Sequence, residues 1–173
     1  MYRFLTTLMI GAAVTLPALA QESNVQSNVH DKLIDHWKTS KKYVLALAEQ
    51  MPAADYGFKP NPAEMSFGEQ MAHIAVVNGY MFSKLSGKAN PIAKPANFEK
   101  ATVLKTLNDS YDFVIATLGS LTPEQMHATI DTGEGKLTGF ELLLLATDHT
   151  AHHRGQCIVY LRAKNIKPTD YEF

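Results

Sequence analysis

The chain has 173 residues, with 16 lysines and arginines against 17 aspartates and glutamates, and 46% of its residues are hydrophobic. This length suits one domain with a single substantial core. The near-neutral charge, without a basic run, excludes the electrostatic footprint of a nucleic-acid-binding protein. The single cysteine, Cys157, excludes an internal disulfide and is predicted to be buried as a small hydrophobic side chain.

The first twenty residues are organised like a cleavable signal peptide. Arg3 gives a short positive start, residues 4–16 form an apolar run, and residues 18–20 (Ala-Leu-Ala) have the small-x-small pattern of a signal-peptidase site. The run is too short for a comfortable membrane span. We expect cleavage after Ala20 and a secreted or periplasmic protein of residues 21–173 that does not associate with the membrane. A retained N-terminal anchor is the alternative.

Two long helices are predicted in the first half of the mature chain. The first runs from about Val29 to Gln50 and is followed by a proline-rich stretch that cannot continue a helix. The second starts at a capping box, Ser66-Phe67-Gly68-Glu69, and should end near Gly87, in the position of a left-handed C-terminal glycine. Its apolar residues occupy two opposite sides, which predicts a central position in the fold.

Two further helices are predicted in the second half. The third covers residues 97–118, and a short capped turn with proline at its first helical position follows at residues 122–125. Residues 127–137 are predicted to be a loop with room for a small hairpin. A second capping box, at residues 138–141, starts a fourth helix that should run to about Lys164 and be buried over most of its circumference, since few charges interrupt it. The pattern predicts an all-α four-helix bundle.

Three histidines fall on otherwise apolar stripes of these helices. His149 and His153 are spaced i, i+4, so both imidazoles point the same way and can share one metal ion. His73, on the second helix, can supply a third nitrogen from a facing helix. Three neutral imidazoles leave at least one coordination position for water, as in reactive metal sites.

Other interpretations of these histidines stay open. They could be ordinary core histidines bonded to the backbone or to Glu69 and Gln156, and a His-x-x-x-His pair arises by coincidence about half the time. His152 is an alternative ligand because it follows His149 by three residues. We favour His153, which lies closer to the axis of the apolar stripe.

Four residues are candidates for supporting roles around the site. Gln156 could hold an imidazole or a bound water, and Glu69 precedes His73 by one turn. Tyr80 and Tyr160 each lie seven residues past a proposed ligand and could line the same cavity, although plain core packing is the favoured explanation for both tyrosines. The Glu-x-x-His spacing of di-iron bundles and the Cys-x-x-Cys-His motif of covalent haem are both absent.

The chain resembles the DinB/YfiT-like superfamily. The resemblance is carried by Tyr56-Gly57-Phe58-Lys59-Pro60, by Ala72-His73-Ile74 and by the stretch from His149 to Gln156, and it spans nearly all of the mature chain. It implies a four-helix bundle in which His73, His149 and His153 bind a divalent metal. Known members include metal-dependent transferases that use low-molecular-weight thiols and proteins assigned as hydrolases. Outside the cytoplasm a reduced thiol is less available.

These observations predict an exported metalloenzyme that acts on a small molecule. A water on the metal would serve as nucleophile or base, and hydrolysis suits the compartment best, with group transfer also open. The alternative is a non-catalytic bundle that uses its metal to hold a ligand or to stabilise itself; a bundle without metal is the third possibility. Three imidazoles plus water suit Zn, Ni, Fe or Mn. The substrate and the formation of a homodimer are left open.

Overall fold

The structure is a computed structural model that describes the backbone of residues 15–171 and the side chains of residues 28–171. Within the described residues, five α-helices, one 3-10 turn and two short strands follow one another along the chain. They are α1 (Thr15–Gln50), a 3-10 turn (Ala53–Asp55), α2 (Phe67–Ser86), α3 (Lys100–Leu118), the short α4 (Pro123–His127), β1 (Thr129–Asp131), β2 (Lys136–Thr138) and α5 (Gly139–Ala163). The four long helices form the predicted bundle, and β1 and β2 pair as an antiparallel hairpin just before α5.

The predicted helix boundaries that rest on capping are confirmed. The Ser66 hydroxyl accepts a hydrogen bond from the backbone N–H of Glu69, whose carboxylate accepts one from the N–H of Ser66 at 2.7 Å. Thr138 and Glu141 make the same reciprocal pair at the start of α5. Gly87 ends α2 in the left-handed conformation with φ of 70°, which a residue with a side chain rarely adopts.

Two helices begin elsewhere than predicted. Helix α3 begins at Lys100 instead of residue 97, because the side chain of Asn97 accepts a hydrogen bond from the N–H of Glu99 and forms a local turn before the helix. Helix α1 begins at Thr15, fourteen residues before Val29. Residues 1–14 of the predicted signal peptide lie outside the described residues. Within residues 15–171 no helix has the length and hydropathy needed to span a membrane.

The core is built around α2, which packs against α3 and α5, while α1 packs against α3. Aromatic rings connect three of the helices: the Trp37 ring lies 5.1 Å from the ring of Phe82 and 5.9 Å from that of Tyr111. The buried hydroxyl of Tyr111 is hydrogen-bonded to Ser40 at 3.1 Å. The prediction that α2 is central is therefore confirmed.

Helix α5 is less buried than its apolar sequence predicts. Phe140, Leu144, Leu145 and Val159 are all 45–55% exposed. An apolar pattern indicates which positions prefer burial but does not specify how many neighbours a helix has. In this chain α5 has α2 as its main helical neighbour, and its opposite side is left uncovered.

The connection between α2 and α3 is held against α2 at two glycines. A Cβ atom on Gly68 would lie 2.5 Å from the carbonyl oxygen of Phe98, and one on Gly79 would lie 2.6 Å from Cβ of Ile92. Both distances are too short for any side chain, so the connection can approach the helix this closely only because both positions are glycine. The segment between Ile92 and Phe98 therefore runs alongside the stretch of α2 that carries His73.

Candidate metal centre

The three predicted histidines converge between α2 and α5. His149 and His153 project from successive turns of α5, and His73 projects from the facing helix α2. The ring centroids lie 4.9 Å apart for His73 and His149, 4.5 Å for His73 and His153, and 4.4 Å for His149 and His153. The two capping boxes fix where α2 and α5 begin.

The spacing of the ring nitrogens suits a single metal ion. One nitrogen from each of the three imidazoles lies within 4.8 Å of the others, and Nε2 of His73 is 3.0 Å from Nε2 of His149. Two imidazole nitrogens bound tetrahedrally to one zinc at the usual bond length are about 3.3 Å apart. The three residues could therefore hold one ion with small adjustments of their side chains.

The electrostatics of the group favour neutral imidazoles, which are the form that binds metal. Burial, followed by the neighbouring histidines, lowers the pKa of His149 to about 4. The pKa of His153 is lowered to about 4 by burial and then by His73 and His152, and burial also lowers the pKa of His73. At neutral pH each ring therefore keeps a lone pair available for a cation.

A residue outside the predicted set orients His153. The buried side chain of Gln70 accepts a hydrogen bond through Oε1 from Nδ1 of His153 at 2.6 Å. Its amide nitrogen faces the hydroxyl of Tyr160 at 3.5 Å, and that hydroxyl donates to the carbonyl of Met65 at 2.8 Å. Since a carbonyl oxygen only accepts, His153 carries its proton on Nδ1, and its free lone pair is on Nε2.

Sequence reasoning overlooked Gln70 although a usable signal was present. Gln70 precedes His73 by three residues and so shares its face of α2. A di-iron bundle carries Glu at this position, and Gln there excludes that kind of site. The same spacing also places a hydrogen-bonding side chain beside His73.

Of the four predicted supporting residues, Tyr160 and Glu69 lie beside the histidine cluster, whereas Gln156 and Tyr80 make their hydrogen bonds to residues outside it. Tyr160 reaches the histidines through Gln70, and Glu69 lines a cavity beside His73 while its carboxylate stays in the capping box. The side chain of Gln156 is hydrogen-bonded to His152 at 3.0 Å. Tyr80 is 40% exposed, and its hydroxyl donates to the carbonyl of Thr132 on the hairpin, so it anchors the hairpin to α2.

Neither of the two remaining candidate ligands, His152 and Cys157, belongs to the three-histidine group, although the His152 ring lies 4.9 Å from that of His153. His152 is exposed, and its ring is not part of the three-histidine cluster. Cys157 is fully buried in the core, and burial raises the pKa of its thiol, which keeps the sulfur protonated and a poor ligand. The prediction that Cys157 is a small buried hydrophobic residue is confirmed.

The lowered pKa values predict a pH-dependent stability of the metal-free protein. A histidine whose pKa is lower in the folded state stabilises the fold fully above its unfolded pKa of about 6.5, and this contribution is lost as the pH falls toward about 4. We expect the free energy of unfolding, measured with urea in the presence of a chelator, to fall more steeply between pH 6.5 and 4 in wild type than in a His149→Asn/His153→Asn variant. Equal slopes would contradict this prediction, because carboxylates contribute to both proteins alike.

Comparison with known proteins agrees with this fold. The family model of the DinB superfamily matches residues 36–157. The uncharacterized protein YjoA of Bacillus subtilis (strain 168) is 32% identical over 143 residues, which cover 79% of this chain and 90% of YjoA. The crystal structure of that DinB-like protein matches with a TM-score of 0.68 at 27% identity, over 82% of this chain and 96% of the other.

A second solved structure shows the same fold at lower sequence similarity. A DinB-like protein from Bacillus cereus matches with a TM-score of 0.70 at 15% identity, over 82% of this chain and 97% of the other. The family match includes His73, His149 and His153, the three residues that converge in the structure. Because the family model matches more than half of the sequence, and YjoA is related over most of its length, the chain belongs to the DinB superfamily.

Proposed function

We propose that this protein is an exported metal-dependent enzyme that hydrolyses a small molecule or transfers a group to or from it. The observation that supports the proposal is the convergence of three imidazoles from two helices, with one nitrogen of each within 4.8 Å of the others. Histidines buried this close together would repel one another if protonated, so a shared cation gives all three lone pairs a partner.

The donor set fits a divalent ion that keeps an open coordination position. Three imidazoles suit Zn, Ni, Fe or Mn, and the cluster contains no fourth histidine, cysteine or carboxylate among the described residues. When bound, such an ion supplies Lewis acidity, which lowers the pKa of a coordinated water and polarises a carbonyl or phosphoryl group. Hydrolysis needs only water as a co-substrate and therefore suits an exported protein better than transfer from a thiol.

Other residues of the chain orient the proposed metal ligand His153. Gln70 and Tyr160 fix the tautomer and the direction of His153, as described above. The carboxylate of Glu69 already has two partners: it accepts a hydrogen bond from the N–H of Ser66 and lies 3.6 Å from the ammonium of Lys59. These contacts lower the pKa of Glu69. Glu69 therefore stays ionised and is a weak candidate for a general acid near neutral pH.

Cobalt substitution tests whether the site is open. We expect Co²⁺ to bind in one equivalent and its visible spectrum to change when azide or acetohydroxamate is added, because three protein ligands leave room for a small anion. An intense sulfur-to-cobalt charge-transfer band would instead place Cys157 on the metal, and a spectrum indifferent to both additives would indicate a closed structural site.

A panel of chromogenic esters and amides then separates an enzyme from a binding protein: metal-dependent turnover that His149→Ala abolishes supports the enzyme.

Export has its own test. If the signal peptide is cleaved after Ala20, the intact mass of the protein recovered from outside the cytoplasm will match residues 21–173. A mass that includes residues 1–20, together with recovery in the membrane fraction, would support the retained anchor instead.

A further inference from the structure

A cavity of about 380 Å³ opens beside His73, between α2 and the connection that leads to α3. This volume falls within the range of small-molecule sites. Most of its wall is apolar, and its apolar lining residues are Met65, Ala72, Val76, Pro95 and Phe98. His73 forms part of the wall, whereas His149 and His153 do not line the cavity, so the cavity borders the histidine cluster at His73.

The cavity is built into the fold by the two close glycine contacts. Gly68 holds the connection at Phe98, and Gly79 holds it at Ile92. The part of α2 between these two points carries Ala72, His73 and Val76, which form the floor of the cavity. The outer wall is therefore fixed at both ends, so a ligand would enter a preformed space and would not have to order a loop.

The charges around the cavity favour an anion. Two charged side chains line it, Lys94 and Glu69. The charge of Glu69 is compensated by Lys59 and by the N–H of Ser66. Lys94, by contrast, has no ion pair or hydrogen bond among the described residues, so its positive charge is available to a ligand at the mouth of the cavity.

We propose that this cavity is the substrate pocket of the metal centre and that it takes an amphipathic small molecule. The reacting group would face His73, the apolar chain or ring would lie between Val76 in the floor and Phe98 in the outer wall, and an anionic end would pair with Lys94. The proposed substrate class is therefore a small molecule with an apolar chain or ring and one anionic end, such as a carboxylate. This inference rests on the proposed metal site, and its test is arranged to separate the two.

Straight-chain hydroxamates provide the probes, because they chelate a metal and carry a tail of chosen length. With zinc-loaded protein we expect a six- to eight-carbon tail to strengthen binding at least about tenfold over acetohydroxamate, since each buried methylene contributes about threefold to fourfold. A terminal carboxylate should add about a twofold to fivefold preference at low salt, which is typical of an exposed ion pair. Calorimetric titration measures each dissociation constant.

Two matched pairs of variants test whether the gain from the tail and the preference for the carboxylate arise in this cavity. Val76→Trp places a bulky indole in the cavity and should remove the advantage of the long tail, whereas Val159→Trp, on the exposed side of α5, should leave it unchanged. Lys94→Met should remove only the preference for the carboxylate, whereas Lys88→Met, on the same connection, should keep it. No gain from the tail, or equal losses within either pair, would overturn the proposal while the metal site stands.

The cavity can also be tested without the metal. If the protein binds no divalent ion, the proposed function fails, and octanoate replaces the hydroxamates as a probe of the metal-free protein. Saturation-transfer NMR should then detect octanoate binding that Val76→Trp removes and Val159→Trp retains. Absence of octanoate binding in wild type, or retention of it in Val76→Trp, would contradict the pocket independently of the metal.

Discussion

Replacing His149 or His153 with alanine will empty the metal site, whereas replacing His152 will leave it filled. His149 and His153 contribute two of the three converging nitrogens, and His152 is exposed and bonded to Gln156. Changing a residue that merely supports a ligand typically weakens metal binding 10–100-fold, so loss of a ligand itself should weaken it more than about a hundredfold. Elemental analysis of untagged protein, followed by zinc titration of the metal-free form, measures both occupancy and affinity.

Thermal unfolding gives an independent measurement of the same variants. At a free zinc concentration of 100 times its dissociation constant, a metal that binds only the folded state stabilises it by about 2.7 kcal/mol. For a domain of this size that is about 5–10 °C in Tm. Wild type and His152→Ala should show this increase, and His149→Ala and His153→Ala should not. If His152→Ala loses the metal and His153→Ala keeps it, the register on α5 is wrong, and if wild type binds none of several supplied metals, the triad is not a metal site.

Replacing Gln70 with methionine will weaken metal binding about 10–100-fold even though Gln70 does not belong to the histidine cluster. Methionine has nearly the same shape but offers no carbonyl oxygen, so Nδ1 of His153 loses its acceptor and the ring is free to change tautomer and orientation. Gln70→Glu restores an acceptor and should restore binding, because a carboxylate holds the Nδ1 proton more strongly. Zinc titration and the Co²⁺ spectrum report affinity and ligand geometry separately.

A matched control separates orientation from general destabilisation. Thr150 donates a hydrogen bond to Asn78 at 3.1 Å, and this buried contact joins the same two helices, α5 and α2. Thr150→Val removes that contact and should lower the free energy of unfolding by about 1–3 kcal/mol, as expected when a buried polar group loses its partner. It should leave metal affinity nearly unchanged. Comparable losses of affinity in Thr150→Val and Gln70→Met would show that Gln70 acts only through stability.

Much of the bundle was predictable because its helix boundaries are encoded locally. Ser66 with Glu69, and Thr138 with Glu141, are capping pairs that need no knowledge of the rest of the fold, and Gly87 ends a helix by its own conformational freedom. The exposed face of α5 was not predictable in this way. Whether Leu144 is covered depends on which elements pack around α5, and that is a property of the assembled fold.

The histidine cluster was predictable for a similar reason, whereas for its hydrogen-bonding partner Gln70 the spacing indicates only a shared face of α2 with His73. His149 and His153 share a helix face by spacing alone, and His73 lay on the apolar stripe of a helix expected to be central. The contact between Gln70 and His153 joins residues 83 positions apart. Its existence depends on the relative rotation of α2 and α5, which periodicity along one helix does not determine.

The placement of Arg154 has a practical consequence for making the protein. Its guanidinium lies over the ring of Tyr43 at 5.4 Å and over the ring of Tyr171 at 5.0 Å, and the two tyrosine rings contact each other edge to face. Tyr171, the last described residue of the chain, is thus packed against Arg154, the residue that follows His153. A C-terminal tag would follow this stack closely in the chain, and a polyhistidine tag would compete with the three histidines for any metal ion that is supplied. Recombinant material for metal analysis is therefore better purified by ion exchange, or with a removable N-terminal tag placed after the predicted signal peptide.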